Sequence, residues 1–200
     1  RFESRGLGDV YKRQRLTRDT ATAVEFSPAF SPDGKEVYYL TWSDDELGSI
    51  RKVSARGGRS KEVLATPGHY VDLSVSSDGE TLLFAKLSGS SLTNPHWGKN
   101  PGIYILNLSD EEAQFVSRRG RSPHFGPGDR IYVTERVSSA VGRGSDDASS
   151  ELISMNHDGE DVRTHASSPL ATVIRMSPAG KHVAYRLSLI HISEPTRLEP

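Results

Sequence analysis

The chain has 200 residues, of which 34% are hydrophobic, and its formal net charge is −1. This near-neutral balance argues against an electrostatic nucleic-acid binder, which needs a concentrated basic face. No run of about 18 apolar residues is present to span a membrane, and the absence of cysteine excludes a disulfide framework and a thiolate metal site.

The two ends of the chain are related at the level of DNA. Ser4–Gln14 and Leu187–Arg197 are each eleven residues long, and they have possible codings that are reverse complements of each other. The shared DNA resembles a transposon-derived adapter of sequencing libraries. We therefore interpret residues 1–14 and 187–200 as adapter-derived artefacts and leave them out of the fold prediction. The informative chain is Arg15–Arg186.

Between these ends, an apolar anchor followed by a tight polar turn and an apolar strand recurs about every fifty residues. In the first copy, Ser31-Pro32-Asp33-Gly34 has the residues of a hairpin turn. Proline presets φ for the first central position, and glycine takes the left-handed conformation that closes the turn. The anchors are Phe30, Val75, Phe125 and Met176, and the later turns are Ser76–Gly79, the shortened Gly126–Asp129, and Ser177–Gly180 with Ala179 in place of the usual Asp.

Each turn is followed by strands, and Arg15–Val24 is predicted to be the tail of a preceding unit. Helix-type periodicity is scarce, so the chain is predicted to be all-β: an incomplete β-propeller of about three to four four-stranded antiparallel blades. One blade cannot bury both of its faces, so stacking on its neighbours supplies the core. The strands predicted after the turns are Glu36–Thr41, Thr81–Lys86, Ile131–Glu135 and Lys181–Tyr185, and the further pairs are Ser49–Ala55 with Glu62–Ala65, Gly102–Leu108 with Ala113–Val116, and Glu151–Asn156 with Val162–His165.

The motif FSPDGK, Phe30–Lys35, with the strand and hairpin after it, resembles the TolB-like, WD-like propellers. More narrowly, Arg15–Gly58 and Thr164–Arg186 resemble the N-terminal propeller of large bacterial proteins whose C-terminal part is an amidohydrolase. That resemblance implies a non-catalytic module that gates substrate or acts as a scaffold within a periplasmic or secreted, metal-dependent hydrolase. It also implies the partners: the missing blades and a downstream catalytic domain, or another protein.

Two alternatives stay open on the same motifs. One is a TolB-like periplasmic propeller that binds other proteins without an attached enzyme. The other is the gating propeller of a prolyl-oligopeptidase-like or tricorn-like serine peptidase. The coding sequence after Arg186 distinguishes them, because an amidohydrolase needs an H-x-H motif and a serine peptidase needs a G-x-S-x-G nucleophile elbow.

Residues that could carry chemistry are scattered along the chain. The histidines form no H-x-H or H-E-x-x-H pattern, and neither a nucleophile elbow nor a phosphate-binding loop is present. Each histidine is interpreted as a solvated loop or strand residue, with His124 the best candidate because it stands beside Phe125 at a blade start. We therefore predict no catalytic, cofactor-binding or metal-binding residue and no cofactor in this fragment. The histidines considered are His69, His96, His124, His157, His165 and His182.

Three further segments contain polar or aromatic residues that could bind a ligand. The acidic stretches Ser43–Glu46 and Ser145–Asp147 lack the spacing of a calcium-binding loop and are interpreted as solvated turns. Trp97, within the insertion Ser88–Pro101, is predicted to pack on its own blade, with a ligand or partner anchor as the alternative. Ser138–Ser150 is rich in Ser, Gly and Asp and is predicted to be a mobile hairpin or loop.

Overall fold

In the computed structural model of the protein, the described residues are 15–18, 23–88, 100–138 and 148–187. They form fourteen β-strands and one short 3-10 turn, Pro127–Asp129. The predicted all-β class is confirmed. No helix within these ranges is long and apolar enough to cross a membrane.

The strands form three four-stranded antiparallel sheets and one two-stranded sheet, in which strands that are consecutive in sequence pair with each other. We number these sheets blades 1 to 4, and the predicted four-strand unit is confirmed in the first three. Blade 1 contains β1 (Val24–Phe30), β2 (Glu36–Ser43), β3 (Leu47–Ser54) and β4 (Lys61–Leu64). Blade 2 contains β5 (Tyr70–Val75), β6 (Thr81–Lys86), β7 (Gly102–Asn107) and β8 (Gln114–Ser117). Blade 3 contains β9 (Arg121–Phe125), β10 (Ile131–Ser138), β11 (Ala148–Met155) and β12 (Arg163–Ser168), and blade 4 contains β13 (Ala171–Met176) and β14 (Val183–Leu187).

Two predicted boundaries are wrong. Val24 pairs with Trp42 inside blade 1, so it does not belong to the tail of a preceding unit. β10 and β11 remain paired as far as Ser138 and Ala148, so both strands extend beyond the predicted ends at Glu135 and Glu151, and their hairpin reaches into Ser138–Ser150, which was predicted as a hairpin or loop. In both places, pairing with the neighbouring strand extends the strand beyond the end that was predicted from local sequence.

The hairpin of blade 4 is shifted by two residues from its prediction. The Ser177 N–H donates to the carbonyl oxygen of His182 at 2.9 Å, which closes the turn before the strand begins. β14 therefore starts at Val183 rather than at Lys181. It ends at Leu187, which pairs with Ala171.

The Ser-Pro-Asp-Gly turns follow the predicted chemistry. Ser31 Oγ donates to Asp33 Oδ1 at 2.7 Å, and the Lys35 N–H donates to the same oxygen at 3.1 Å. These hydrogen bonds lower the pKa of Asp33 to about 2. Gly34 closes the turn with φ 68°, a conformation that glycine adopts without a steric cost.

Turns of successive blades also contact one another. Asp129 of the third turn accepts hydrogen bonds from the Ser77 N–H at 2.8 Å and from Ser77 Oγ at 2.5 Å. The Pro32 ring lies 3.2 Å from where a Cβ on Gly79 would stand. Because the same element of each blade contacts the next, the turns lie together at one end of the sheets.

The core lies between the blades. In β6, Leu82 and Phe84 pack against blade 1, whereas Leu83 packs against blade 3. In β10, Tyr132 packs with Ile174 of blade 4. Alternate residues of one strand thus serve two neighbouring blades, as the pleat of a strand requires. The apolar clusters confirm that stacking supplies the interior.

Candidate functional site

We call the first strand of each blade, namely β1, β5, β9 or β13, its inner strand. In each four-stranded blade the inner strand carries a bulge at the same place. In β1 the pairing register shifts between Phe26 and Ala29, and β5 and β9 shift at the corresponding points. One non-glycine residue at each bulge has a left-handed backbone: Ser27 at φ 52°, Asp72 at φ 56° and Ser122 at φ 53°. Bulges re-aim side chains, and backbone strain of this kind clusters at functional positions. The inner strands are therefore the candidate site.

Side chains of the inner strands bind the inner strand of the following blade. Each of them accepts a hydrogen bond from a backbone N–H of that strand. The donors and acceptors lie about fifty residues apart in sequence, which is one repeat. The contacts are Ser27 Oγ with Leu73 N–H at 3.3 Å, Ser74 Oγ with Phe125 N–H at 3.3 Å, and His124 Nε2 with Met176 N–H at 2.9 Å.

His124 is buried, with 5% of its surface exposed. Its Nε2 accepts from Met176 and its Nδ1 lies 3.3 Å from the Ser122 carbonyl oxygen, so a neutral ring with the proton on Nδ1 satisfies both contacts. Burial lowers the pKa of His124 to about 4, and the Arg175 charge acts in the same direction against the Ser122 hydrogen bond. The expectation of a solvated side chain is therefore wrong for His124, which connects blades 3 and 4.

Two further polar contacts connect the blades. Thr134 is completely buried, and its Oγ1 accepts from the Ile174 N–H at 2.9 Å and donates to the Ile174 carbonyl oxygen at 3.0 Å. Asp72 Oδ1 lies 3.6 Å from Arg175 Nη2, an ion pair between blades 2 and 4. Both charged side chains are partly exposed, so the stabilisation from this pair is small. The polar contacts along the inner strands therefore have a structural role, which is to connect the blades.

The other described histidines lie apart from one another, each with different neighbours. In the parts of the chain that the structure describes, no group of three or more His, Asp or Glu side chains is placed to hold a metal ion. His96 falls outside these parts. The ring of His69 lies 4.6 Å from that of Trp42, His157 Nε2 lies 2.9 Å from the Asp129 carbonyl oxygen, His165 Nε2 lies 2.8 Å from Ser154 Oγ, and His182 is exposed.

The acidic turn Ser43–Glu46 forms the tip of the β2–β3 hairpin. Asp44 accepts a hydrogen bond from Trp42 Nε1 at 3.1 Å, and Ser43 Oγ accepts one from the Glu46 N–H at 3.0 Å. These carboxylates are exposed, as expected for a solvated turn. Ser145–Asp147 and Trp97 lie outside the described residues.

The polar contacts between blades were not found from the sequence, although a signal for them exists. The residue immediately before each apolar anchor occupies one equivalent position, held by Ala29, Ser74, His124 and Arg175. Three of these four are polar, and they range from the buried His124 to the exposed Arg175. Aligning the repeats by register identifies this column directly.

Stacked four-stranded antiparallel sheets, connected along their inner strands, define the chain as part of a β-propeller. Neither a known family model nor a curated protein matches its sequence. Among solved structures, it is similar to TolB from Acinetobacter baumannii, with a TM-score of 0.61 and 19% identity over 82% of this chain and 37% of that one.

Two other solved structures show the same likeness. A putative TolB from Agrobacterium tumefaciens matches with a TM-score of 0.60 and 17% identity, over 84% of this chain and 56% of that one. An oligogalacturonate lyase in complex with manganese matches with a TM-score of 0.59 and 13% identity, over 88% of this chain and 50% of that one. The chain thus spans only part of these proteins, and at such identities the likeness shows the fold alone.

Proposed function

We propose that this chain is part of a non-catalytic propeller that gates substrate or acts as a scaffold in a larger bacterial hydrolase of the amidohydrolase type. The observation that carries the proposal is that one apolar position recurs in each blade and packs on the blade before it. Leu82, Ile131 and Val183 hold equivalent places after their turns, and each packs on the preceding blade. Val37 holds that place in blade 1.

The corresponding face of blade 1 has the features of a stacking surface. Val37, Tyr39 and Val53 form a separate apolar cluster there, beside a cavity of about 180 Å³. The Tyr39 hydroxyl is buried and has no hydrogen-bond partner among the residues that the structure describes, a state that costs about 1–3 kcal/mol. A further blade on this face would fill the cavity, which Leu16 and Thr17 also line, and would supply a polar partner for the hydroxyl.

Blade 4 supports the same proposal from the other side. It has two strands where the other blades have four, and β14 is its edge. Tyr185 is 46% exposed, although it continues the apolar pattern of the strand. Further strands beside β14 would cover this side chain, so the remaining strands and blades are the first partners that we propose.

A TolB-like propeller that binds other proteins is the second candidate. The TM-scores of 0.61 and 0.60 to the two TolB structures favour it, and the architecture fits it as well as it fits the hydrolase module. Both candidates place the protein in the periplasm or outside the cell, as the resemblance implies. In both, the described residues provide a framework and the chemistry or binding partner lies elsewhere.

The substitution Tyr39→Phe tests the stacking proposal. In the 200-residue chain, removal of an unpaired buried hydroxyl should raise the free energy of unfolding by about 1 kcal/mol. In a longer protein that includes the preceding blade, the same substitution should lower it, because a hydrogen bond is lost. Urea unfolding of both pairs measures this difference. A change of the same sign in both proteins would contradict the proposal.

The identity of the parent protein is tested by the coding sequence beyond residue 186, followed by assays of the whole protein. An H-x-H motif after the remaining blades, with hydrolysis by the whole protein and none by the 200-residue chain, is the expected result. A stop after the remaining blades would contradict the hydrolase and favour the TolB-like candidate. Hydrolase turnover by the 200-residue chain alone would overturn the non-catalytic role.

A further inference from the structure

A cavity of about 260 Å³ lies between blades 2 and 3. It stands at the end of the sheets opposite to the Ser-Pro-Asp-Gly turns, because Lys86 is the last residue of β6 and pairs with Gly102, the first residue of β7. The segment between β8 and β9 forms its other wall and contributes Arg118 and Arg121. The cavity therefore belongs to the described fragment and needs no further blade.

Positive charge dominates this cavity. Lys86, Arg118 and Arg121 line it, and Asp72 is the one acidic residue among its lining residues. Asp72 Oδ1 is 3.6 Å from Arg175 Nη2, so its charge is shared with another blade. The lining thus carries an excess of positive charge in a chain whose net charge is −1.

These cations differ from their neighbour Arg119. Arg119 donates two hydrogen bonds to the Glu135 carboxylate, at 3.0 and 2.7 Å. Within the described part of the chain, none of the three cations that line the cavity makes an ion pair or a side-chain hydrogen bond. Burial lowers the pKa of the Lys86 ammonium, which shows that this charge is partly removed from water.

The backbone holds the arginines in place. Gly120, between Arg118 and Arg121, has φ 77°, and a Cβ there would stand 2.3 Å from Val133 Cγ2. Ser122 follows with φ 53°. The segment therefore lies tightly against blade 3, and its two arginines remain on the wall of the cavity while Arg119 points to a different partner.

We propose that this cavity binds a small anion that carries carboxylate or phosphate groups, held by Lys86, Arg118 and Arg121. The exposed guanidinium groups of Arg118 and Arg121 present paired donors that match the oxygens of either anion, and a bound anion offsets the cost of the unpaired, partly desolvated charge of Lys86. The inference goes beyond the proposed function, because it assigns a ligand site to the fragment itself.

The test is a titration of the 200-residue chain with succinate and, separately, with inorganic phosphate, at constant ionic strength. Isothermal titration calorimetry should show saturable binding at one site. The ligand that binds with the lower Kd, succinate or phosphate, identifies the preferred oxyanion. Arg118→Gln and Arg121→Gln should each weaken binding about tenfold, as loss of a charged hydrogen bond predicts. Arg56→Gln, on the exposed β3–β4 turn, should leave the affinity unchanged.

Absence of saturable binding in both arms would overturn the proposal. Equal weakening by Arg56→Gln and by the cavity variants would also overturn it, because the anion would then be responding to overall charge. Far-UV circular dichroism establishes that each variant is folded. Lys86→Met keeps the apolar stem of the side chain and provides a third variant, for which we expect the same loss of affinity.

Discussion

Protonation of His124 should weaken the contact between blades 3 and 4 and so lower the free energy of unfolding. The ring is neutral in the folded protein, where its Nε2 accepts from the Met176 N–H, and its pKa falls from 6.5 to about 4. The unfolded chain takes up the proton near pH 6.5, so the stabilisation is fully present above that pH. It is lost as the pH falls from about 6.5 to about 4, and it amounts to about 3 kcal/mol.

The variant His124→Gln isolates this contribution. Glutamine carries an amide oxygen that can accept from Met176, and it has no proton to gain in this range. Urea unfolding of both proteins at several pH values between 7.5 and 4 gives the free energies to compare. The parent chain should lose about 3 kcal/mol more than His124→Gln over this interval.

Other groups titrate in the same range, but they are common to both proteins. Burial lowers the pKa of His69 and His165 as well, and the carboxylates titrate at the acidic end. Their effects cancel when the two pH profiles are subtracted. Parallel profiles for the parent and His124→Gln would refute the assignment of His124 as a neutral link between blades.

Two further predictions concern packing. Phe84→Ala should lower the free energy of unfolding by about 3–5 kcal/mol, because Phe84 is fully buried between blades. Tyr185 holds the equivalent position in blade 4 but is 46% exposed, so Tyr185→Ala should lower that free energy by about 1 kcal/mol or less in the same urea experiment. Equal losses would contradict the stacked core. Gly120→Ala should lower the melting temperature more than Gly34→Ala, because both have positive φ but only Gly120 has Val133 within 2.3 Å of the added Cβ; similar shifts would contradict this close packing.

The blades could be predicted because their signals are local. The conformation of the turn at Ser31–Gly34 is specified by four adjacent residues, and the continuous apolar run Leu82–Ala85 in β6 indicates a strand with two buried faces. Strand ends were less certain, as β10 and β14 show, because they depend on hydrogen bonds to a neighbouring strand. Local chemistry thus specifies the presence of a hairpin, whereas the residues at which its strands end depend on pairing with other strands.

The candidate sites could not be predicted in the same way. His124 reads as an isolated histidine until Met176, which is one repeat away, is placed against it. Arg118, Arg119 and Arg121 are alike in sequence, yet only Arg119 finds a carboxylate among the described residues. Their roles depend on which blade each side chain faces.

The sequence by itself determined the repeat length, the turn type and the all-β class, because each depends on residues close together in the chain. The tertiary structure decided which polar groups are buried, which are paired and where a cavity remains. Those properties depend on contacts between residues about fifty positions apart, and the free energy of a charge or hydrogen bond is set by the neighbours that fold around it.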